Sequence, residues 1–463
     1  MHSLNYSTFL DAKFRAISRE GIRADLSQYH MFQHQSDLAA WALRRGAAAI
    51  FAETGLGKSR MECAWSDVVH RHTGRDVIMA APLAVAEQTV AEGMAIGVQV
   101  THAREPEDIR PGVNITNYER LHKFDLTQFS GVVLDESSII KHQGSKTLQF
   151  LLDAFRRTPY KLCATATPAP NDWTELGNHA EFLGVRSRTE MLAEFFVHDG
   201  GDTQTWRLKG HARQAFWRWV ASWGAMVRSP ADLGHDASLY ELPPLHVHQH
   251  TVEIPHDPAI GLFPAEAQTL MERRDARRAS MVERVRECAA LVNADRRAWV
   301  VWCDLNAEGD ALEAAIPDSV QVAGADSAEV KESRLLGFPA GKHRVLITKG
   351  SIAGFGMNWQ HCDRQAFVGV TDSWETYYQA VRRCWRFGQK NPVHVHVFAS
   401  NQEGAVVANL SRKERDARAM ADAMASETLA AVRESVLGRQ KESNEYTPDR
   451  RITIPSFLME SAQ

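Results

Sequence analysis

Short apolar runs alternate with segments of helical spacing along the first part of the chain. The apolar runs predict buried strands at residues 47–51, 77–81, 113–116, 132–136 and 161–165. Between them, residues 37–43, 59–72 and 84–93 are predicted to form helices. This alternation indicates a parallel sheet covered by helices, and ligands of such sheets gather at the carboxyl ends of the strands.

The alternation breaks over residues 173–243 and resumes after Pro243 and Pro244, which mark a domain boundary. Four large apolar residues in this interval share one helical face: Phe216, Trp219, Val220 and Trp223. They predict a helical core, with a base-stacking platform as the alternative. Further strands are predicted at 299–303, 345–348, 365–370 and 393–398, and further helices at 265–294, 375–387 and 405–437.

The predicted fold class is therefore α/β, with two parallel-sheet lobes in tandem, a helical insertion and a helical C-terminal tail. We divide the chain into an N-terminal segment (1–28), a first lobe (29–172), an insertion or linker (173–244), a second lobe (245–404) and a tail (405–463). The ligand site is expected where the two lobes can face each other.

The composition sets limits without indicating a function. The chain has 463 residues, of which 44% are hydrophobic and 24% charged, as in ordinary globular proteins. No apolar run approaches the roughly 18–20 residues that span a bilayer, and residues 1–10 lack a signal-peptide pattern, so we expect no membrane association. Six single cysteines without a Cys-x-x-Cys pair fit a reducing cytosol. With a net charge of −4, any DNA groove would have to be a local basic surface.

The stretch AETGLGKS, residues 52–59, lies between a predicted strand and a predicted helix, as phosphate-binding loops do. We call this segment the phosphate loop. Its glycines let main-chain N–H groups approach phosphate oxygens, and the helix directs its positive end at the same anion. The residues whose main chain would surround the phosphates are Thr54, Gly55, Leu56 and Gly57. Lys58 would reach the β- and γ-phosphates and the Ser59 hydroxyl would bind Mg²⁺. A glycine-rich turn with a chance Lys-Ser pair is the alternative.

Two acids, Asp135 and Glu136, end the apolar run at 132–136 and are predicted to emerge at the carboxyl edge of the sheet. Asp135 would hold Mg²⁺ through water, and Glu136 would orient and deprotonate the attacking water. An acidic turn after a strand is the alternative. Thr165 and Thr167 follow the next strand and are candidates for relaying the phosphate state to the second lobe, unless they only cap a turn.

Three side chains in the predicted helix at 375–387 are spaced at i, i+4 and i+7. Gln379, Arg383 and Arg386 are therefore predicted to share one face. A rigid pair of guanidinium groups suits the stabilisation of a developing phosphate charge. A solvated arginine helix is the alternative.

Other candidates depend more on their context. Gln35, about twenty residues before the phosphate loop, is predicted to read an adenine edge, with a capping or surface glutamine as the alternative. Gly356 lies in a loop, residues 354–360, that can bring main-chain amides near a phosphate. Three alternating histidines are predicted to share one strand face, with metal binding as the alternative: His246, His248 and His250. Four arginines of the 265–294 helix are predicted to be solvated, with phosphate contact as the alternative: Arg273, Arg274, Arg277 and Arg278.

In order and separation, these motifs resemble the core of superfamily 2 helicases, in the Swi/Snf-type branch of ATP-dependent DNA translocases. The strings that carry the resemblance are AETGLGKS, VVLDESS, ATATP, GFGMNWQ and QAVRRCWRFGQKNPV, within residues 29–400. The last string is the most specific to the branch, because five positions align one by one: Gln379, Arg383, Arg386, Gly388 and Gln389. FQHQSDLAAW resembles the adenine-reading segment and contains Gln35, while APLAVAEQ and ITNYE resemble early DNA-contacting segments. The compact chain is similar to helicases carried by bacteriophages and prophages.

The resemblance implies two RecA-like lobes with ATP and Mg²⁺ between them, and movement along a nucleic acid, most specifically double-stranded DNA. It also implies a bacterial host cytosol, with phage or host replication or recombination proteins as candidate partners. The chain departs from the pattern at Ala52, where a glycine is usual, at Arg382, where the branch has an acid, and at Ser137 and Ser138, which replace Ala-His. The alternatives are an RNA-dependent helicase, an ATP-binding clamp without turnover, and the motor subunit of a replication or restriction assembly.

Overall fold

The computed structural model describes residues 21–82, 85–170, 172–199, 202–253, 277–353, 357–368, 373–400 and 404–437. Within these ranges the chain forms two parallel sheets with helices packed on their faces. None of the helices in the described ranges combines the length and the apolar content that crossing a bilayer requires. The predicted α/β class with two lobes is confirmed.

The first lobe is built on a seven-stranded sheet. Its strands are β1 (Ala47–Ala52), β2 (Val77–Ala81), β3 (Val100–His102), β4 (Val113–Asn117), β5 (Gly131–Asp135), β6 (Tyr160–Thr165) and β9 (Gly224–Val227). They lie in the order β3-β4-β2-β5-β6-β1-β9, and neighbouring strands run parallel. Strands β2 and β5 are buried along their whole length, because packed side chains cover both faces of the sheet.

Four helices alternate with these strands: α1 (Gln33–Arg45), α2 (Lys58–Thr73), α3 (Ala86–Ala95) and α4 (Lys146–Ala154). Trp41 of α1 and Trp65 of α2 are fully buried in the core on one face of the sheet. Phe155 and Phe182 belong to the core on the other face. Both cores press against the strands that end at the phosphate loop and at Asp135, so packing on both faces fixes where these two segments emerge.

The interval 173–244 contains the predicted helices and also strands that the sequence did not reveal. The helices are α5 (Leu176–Leu183), α6 (Arg188–Phe195) and α7 (Arg213–Trp223), and β7 (Phe196–Asp199) pairs with β8 (Asp202–Leu208) in a hairpin. Helix α7 buries Phe216, Val220 and Trp223, so the predicted helical core is confirmed. Strand β9 follows α7 directly and extends the first sheet beside β1, with no turn signal between helix and strand.

The second lobe is built on a six-stranded parallel sheet. Its strands are β10 (Leu245–Val252), β11 (Trp299–Cys303), β12 (Ser319–Val322), β13 (Val345–Lys349), β14 (Arg364–Phe367) and β15 (Val393–Ser400). The order is β10-β15-β14-β11-β13-β12. The helices of this lobe are α8 (Met281–Asn293), α9 (Asn306–Ala315), α10 (Ala328–Gly337), α11 (Gly350–Ala353) and α12 (Trp374–Val381).

A long helix, α13 (Gly404–Leu437), returns from the second lobe to the first and confirms the helical tail predicted over 405–437. Val432 and Val436 are buried in the core of the first lobe, and Trp41 donates a 2.7 Å hydrogen bond from Nε1 to Oγ of Ser435. The end of α13 therefore packs on the first lobe although its sequence follows the second. Residues 438–463 lie outside the described ranges.

Two predictions about helices were wrong. The predicted helix over 375–387 ends at Val381, because the next main-chain groups bond elsewhere: the Arg383 N–H bonds to the oxygen of Ala380, and the Arg383 oxygen accepts from the N–H of Trp359. Arg277 is not solvated, since it is 5% exposed and forms an ion pair with Asp304, whereas Arg278 is exposed as predicted. Residues 271–276, with Arg273 and Arg274, lie outside the described ranges.

Candidate functional site

A pocket between the two lobes collects most of the side chains that the sequence analysis singled out. The first lobe contributes the phosphate loop and the end of β5, and the second lobe contributes the turn after α12. The predicted site residues that line the pocket are Gln35, Thr54, Gly55, Gly57, Lys58, Ser59, Asp135, Glu136, Arg383 and Arg386. Residues separated by up to about three quarters of the chain therefore meet at one place.

The phosphate loop has the backbone form that its glycines allow. Gly55 and Gly57 have φ angles of 95° and 82°, in the left-handed region that disfavours side chains. A Cβ atom on Gly57 would lie 2.1 Å from Nε2 of Gln35, so the Gln35 side chain would have to move to admit one. Helix α2 begins at Lys58, and the Lys58 amine donates a 2.9 Å bond to the carbonyl oxygen of Ala52. The helix N-terminus and the ammonium group thus stand at the same end of the loop, an arrangement that favours an anion.

Gln35 supports this loop with both of its polar atoms. Its Nε2 donates a 3.0 Å bond to the oxygen of Leu56, and its Oε1 accepts a 3.1 Å bond from the N–H of Phe32. The capping role named in the sequence analysis is therefore present in the structure. Gln35 also lines the pocket, and reading of a base by its amide stays a prediction. Leu56 is buried, and its carbonyl oxygen connects the loop to Gln35.

The two acids at the end of β5, Asp135 within the strand and Glu136 directly after it, differ in environment. Asp135 is 7% exposed, and burial, followed by the charge of Glu136, raises its pKa to about 6. The carboxyl group of Glu62, on α2, faces Asp135 from a completely buried position, and burial raises the pKa of Glu62 well above its usual range. No sequence motif indicates Glu62, although its position four residues after Lys58 places it on the same side of the helix.

Glu136 is held in an unusual backbone conformation and by three side chains. Its φ angle of 53° is one of two positive values among the non-glycine residues that the structure describes. Its Oε1 accepts hydrogen bonds from Oγ1 of Thr165 at 2.8 Å, from Oγ of Ser138 at 3.3 Å, and from Nε2 of Gln379 at 3.5 Å. Because Gln379 comes from the second lobe, the carboxylate of Glu136 touches both lobes. Ser137, in contrast, faces away toward His179 at 3.1 Å.

Arg383 and Arg386 reach the pocket from turns rather than from one helical face. Each donates from Nη1 to the oxygen of Met357, at 3.3 Å and 3.1 Å. Burial, opposed by the charge of Glu136, lowers the pKa of Arg383 to about 10. Burial, and next the charge of Arg383, lowers the pKa of Arg386 to about 9. Arg383 is buried and Arg386 is half-buried. Two such guanidinium groups that repel each other would be stabilised by an anion, so this part of the pocket fits a phosphate group.

An aromatic group that the sequence analysis missed lies beside the phosphate loop. Tyr240, from the segment before β10, and Phe387, from the second lobe, have ring centroids 4.7 Å apart. Phe32 packs edge-on against both rings, and all three residues line the pocket. Such a wall suits a flat ring as ligand. Asn358 and Gln360, in the loop predicted to approach a phosphate, also line the pocket, whereas Gly356 lies outside the described ranges.

The alternating histidines are part of a larger ladder away from this pocket. His246, His248 and His250 share one face of β10, as predicted, and interleave with His394 and His396 of β15. Within the described ranges, the one group with three ligand atoms close enough to hold a metal ion is elsewhere, at Glu87, His102 and Glu332. The metal alternative for the three histidines therefore gains no support from the geometry.

No protein-family model matches the chain, and no curated protein matches it. The interpretation of the pocket consequently depends on its own residues.

Proposed function

We propose that the chain is an ATP-driven translocase or helicase that acts on double-stranded DNA and hydrolyses ATP in the pocket between its lobes. The observation that carries the proposal is the meeting of Lys58 and Glu136 from the first lobe with Arg383 and Arg386 from the second. A phosphate cradle, a candidate base and two lobe-two arginines are the parts that phosphoryl transfer to water needs.

The hydrogen-bond donors and charged groups of the pocket suit a nucleoside triphosphate. Main-chain N–H groups of the loop and the Lys58 ammonium group would surround the phosphates, and the wall of Phe32, Tyr240 and Phe387 would contact the base. Ser59 and Asp135 would hold Mg²⁺, which would neutralise phosphate charge when bound. Glu136, oriented by Thr165, would accept the proton of the attacking water.

The location of the pocket between lobes provides a route from hydrolysis to movement. Arg383 and Arg386 would gain charge-assisted hydrogen bonds only while the phosphates are in place, so ATP favours closure and its loss favours opening. If the lobes grip a nucleic-acid backbone in alternation, each cycle would shift the protein along it. Such a grip depends on phosphate contacts and is salt-sensitive. The segments at 81–88 and 115–119 stay the candidates for DNA contact in the first lobe.

We also propose that the protein acts in the cytosol. All six cysteines are buried free thiols, which fits the reducing cytosol of a bacterial host. Phage or host replication or recombination proteins are the candidate partners there.

The test is a set of parallel ATPase assays with duplex DNA, forked DNA, single-stranded DNA and RNA. We expect duplex DNA to raise the hydrolysis rate most strongly. Stronger stimulation by RNA would favour the RNA-dependent helicase instead. Tight ATP binding without hydrolysis under any of these conditions would favour the ATP-binding clamp. Stimulation only after addition of a second protein would point to a motor subunit.

A further inference from the structure

We propose that two ion pairs, Lys141–Glu375 and Glu53–Arg382, form a clasp that positions the second lobe on the first before any nucleotide adds its contacts. The first lobe supplies the cation of one pair and the anion of the other. The two second-lobe residues, Glu375 and Arg382, lie on the same side of α12, and Arg382 directly follows the last residue of that helix. The consequence for nucleotide affinity depends on the function proposed above, whereas the consequence for lobe position does not.

The first pair joins the loop after Glu136 to the start of α12. The Lys141 ammonium group and the Glu375 carboxylate form a largely buried ion pair, with side-chain exposures of 17% and 11%. Thr167 adds a 3.4 Å hydrogen bond from Oγ1 to the other carboxylate oxygen of Glu375. The main chain at Lys141 is itself fixed, because its oxygen accepts a 2.8 Å bond from Nδ2 of Asn178. Glu375 therefore meets a preformed part of the first lobe.

The second pair joins the end of α12 to the phosphate loop. Arg382 Nη2 lies 3.2 Å from Oε1 of Glu53 and donates a 2.9 Å bond to the oxygen of Thr54. The Tyr378 hydroxyl donates a 2.7 Å bond to the same oxygen of Glu53. Arg382 is 5% exposed, so these acceptors replace the water that its guanidinium group loses on burial. The position where the resembling branch has an acid thus carries an arginine, and the acid is supplied by the phosphate loop.

The order of charges is opposite in the two pairs, so the pairs match in one orientation of α12 relative to the first lobe. The first lobe presents a cation at Lys141 and an anion at Glu53, and the second lobe presents the complementary order. A displaced or reversed α12 would bring like charges together or leave a buried charge unpaired, which is strongly unfavourable. Between the pairs, Gln379 reaches Glu136 at 3.5 Å. The clasp therefore positions the second lobe over the carboxylate of Glu136, and its four charged members are positioning residues.

The test combines charge reversal with a distance measurement. Glu375→Lys and Lys141→Glu are made singly and together, and Arg104→Glu serves as the control. Arg104 also pairs across the lobes, with Glu332, but its side chain is 44% exposed. Spin labels are placed on cysteines introduced at the exposed positions Met94 and Leu336, because the six native cysteines are buried. Distances are measured without nucleotide, and KM for ATP and kcat are measured in parallel.

We expect each single reversal to lengthen and broaden the distance distribution and to raise KM for ATP at least fivefold, with kcat changed less, since nucleotide must now close the lobes. The double reversal should restore both values to within twofold of wild type, and Arg104→Glu should change KM less than twofold. If Glu375→Lys fails to fold, Glu375→Gln takes its place in the test. This variant should change the distance distribution and KM in the same direction, by a smaller amount.

Single reversals that leave the distances unchanged, or a double reversal no better than the single ones, would overturn the clasp. If the wild-type protein hydrolyses no ATP, the proposed function fails, and the distance measurement still decides whether the clasp exists.

Discussion

The hydroxyl group of Thr165, at the end of β6, donates a 2.8 Å hydrogen bond to Oε1 of Glu136, just after the neighbouring strand β5. The same Thr165 oxygen accepts a 3.1 Å bond from the main-chain N–H of Thr167. The candidate base is thus oriented by the strand beside its own. Thr167 in turn contacts Glu375 of the second lobe, so a short chain of contacts leads from Glu136 across the lobe boundary.

Replacing Thr165 with valine should slow ATP hydrolysis by about ten- to a hundredfold, because a hydrogen bond to a charged group contributes roughly 1.5–3 kcal/mol. KM for ATP should change less, since Thr165 does not line the pocket. Steady-state hydrolysis assays measure both constants. Thr73→Val is the matched control, because Thr73 bonds within the first lobe away from the pocket. An unchanged kcat would show that Glu136 needs no orientation by Thr165.

Glu136→Gln should lower kcat at least a hundredfold and keep ATP binding, because the amide keeps the shape of the carboxylate and loses its ability to accept a proton. Hydrolysis assays and equilibrium binding of a fluorescent ATP analogue measure the two properties. Lys58→Ala is the comparison variant and should weaken nucleotide binding as well. Unchanged turnover in Glu136→Gln would remove the assignment of Glu136 as the base.

Much of the first lobe could be predicted because its signals are local in sequence. Apolar runs of five or six residues mark β1 and β2, and the glycines and Lys58 stand together within one loop. The extent of α12 could not be read in the same way. The periodicity continues to Phe387, but the main-chain oxygen of Arg383 accepts a bond from the distant Trp359 N–H, a tertiary contact that no local pattern indicates, and the helix ends at Val381.

The pocket shows the same limit. Tyr240 and Phe387 are separated by well over a hundred residues, and neither lies in a pattern that indicates a ligand. The contact of Arg382 with Glu53 joins two positions whose charges looked independent in sequence. Only the packing of the lobes brings such residues together, so their roles had to be inferred from the structure.

Glu62→Gln should raise the thermal stability at pH 7–8 and flatten its dependence on pH. Burial and the charge of Asp135 raise the pKa of Glu62, so the folded protein keeps a proton that the unfolded chain releases above its usual pKa of about 4.5. The stability from this group is therefore present at low pH and is lost as the pH rises through the folded-state pKa. Glutamine lacks the charged form and removes this loss.

Melting temperatures at pH 5, 6, 7 and 8, without Mg²⁺, measure the effect of Glu62→Gln. Glu194→Gln is the control, because its carboxylate is 52% exposed and should leave the pH dependence as in wild type. A wild-type melting temperature that does not fall between pH 5 and 8 relative to Glu62→Gln would contradict a buried, protonated Glu62.

The histidine ladder should make the second lobe sensitive to acid. His250 Nε2 and His396 Nδ1 lie 3.0 Å apart, and burial, followed by the charges of neighbouring histidines, lowers the pKa of His396 to about 4. Burial also lowers the pKa values of His250 and His394. The fold therefore holds these rings neutral, whereas the unfolded chain takes up protons below its ordinary pKa of about 6.5. Stability should be fully present above pH 6.5 and lost progressively as the pH falls toward 4.

Replacing His396 with glutamine should reduce this acid sensitivity, because the amide offers hydrogen-bonding groups and takes up no proton. The difference in melting temperature between pH 7.5 and pH 5 should shrink by on the order of 1–2 °C, since a chain of 463 residues has a large entropy of unfolding. His30→Gln is the matched control, since His30 is exposed and lies in the first lobe, outside the ladder. If His396→Gln and His30→Gln reduce the difference equally, the histidine ladder does not account for the acid sensitivity. Arg364, whose charge also lowers the pKa of His396, would then be the next residue to replace.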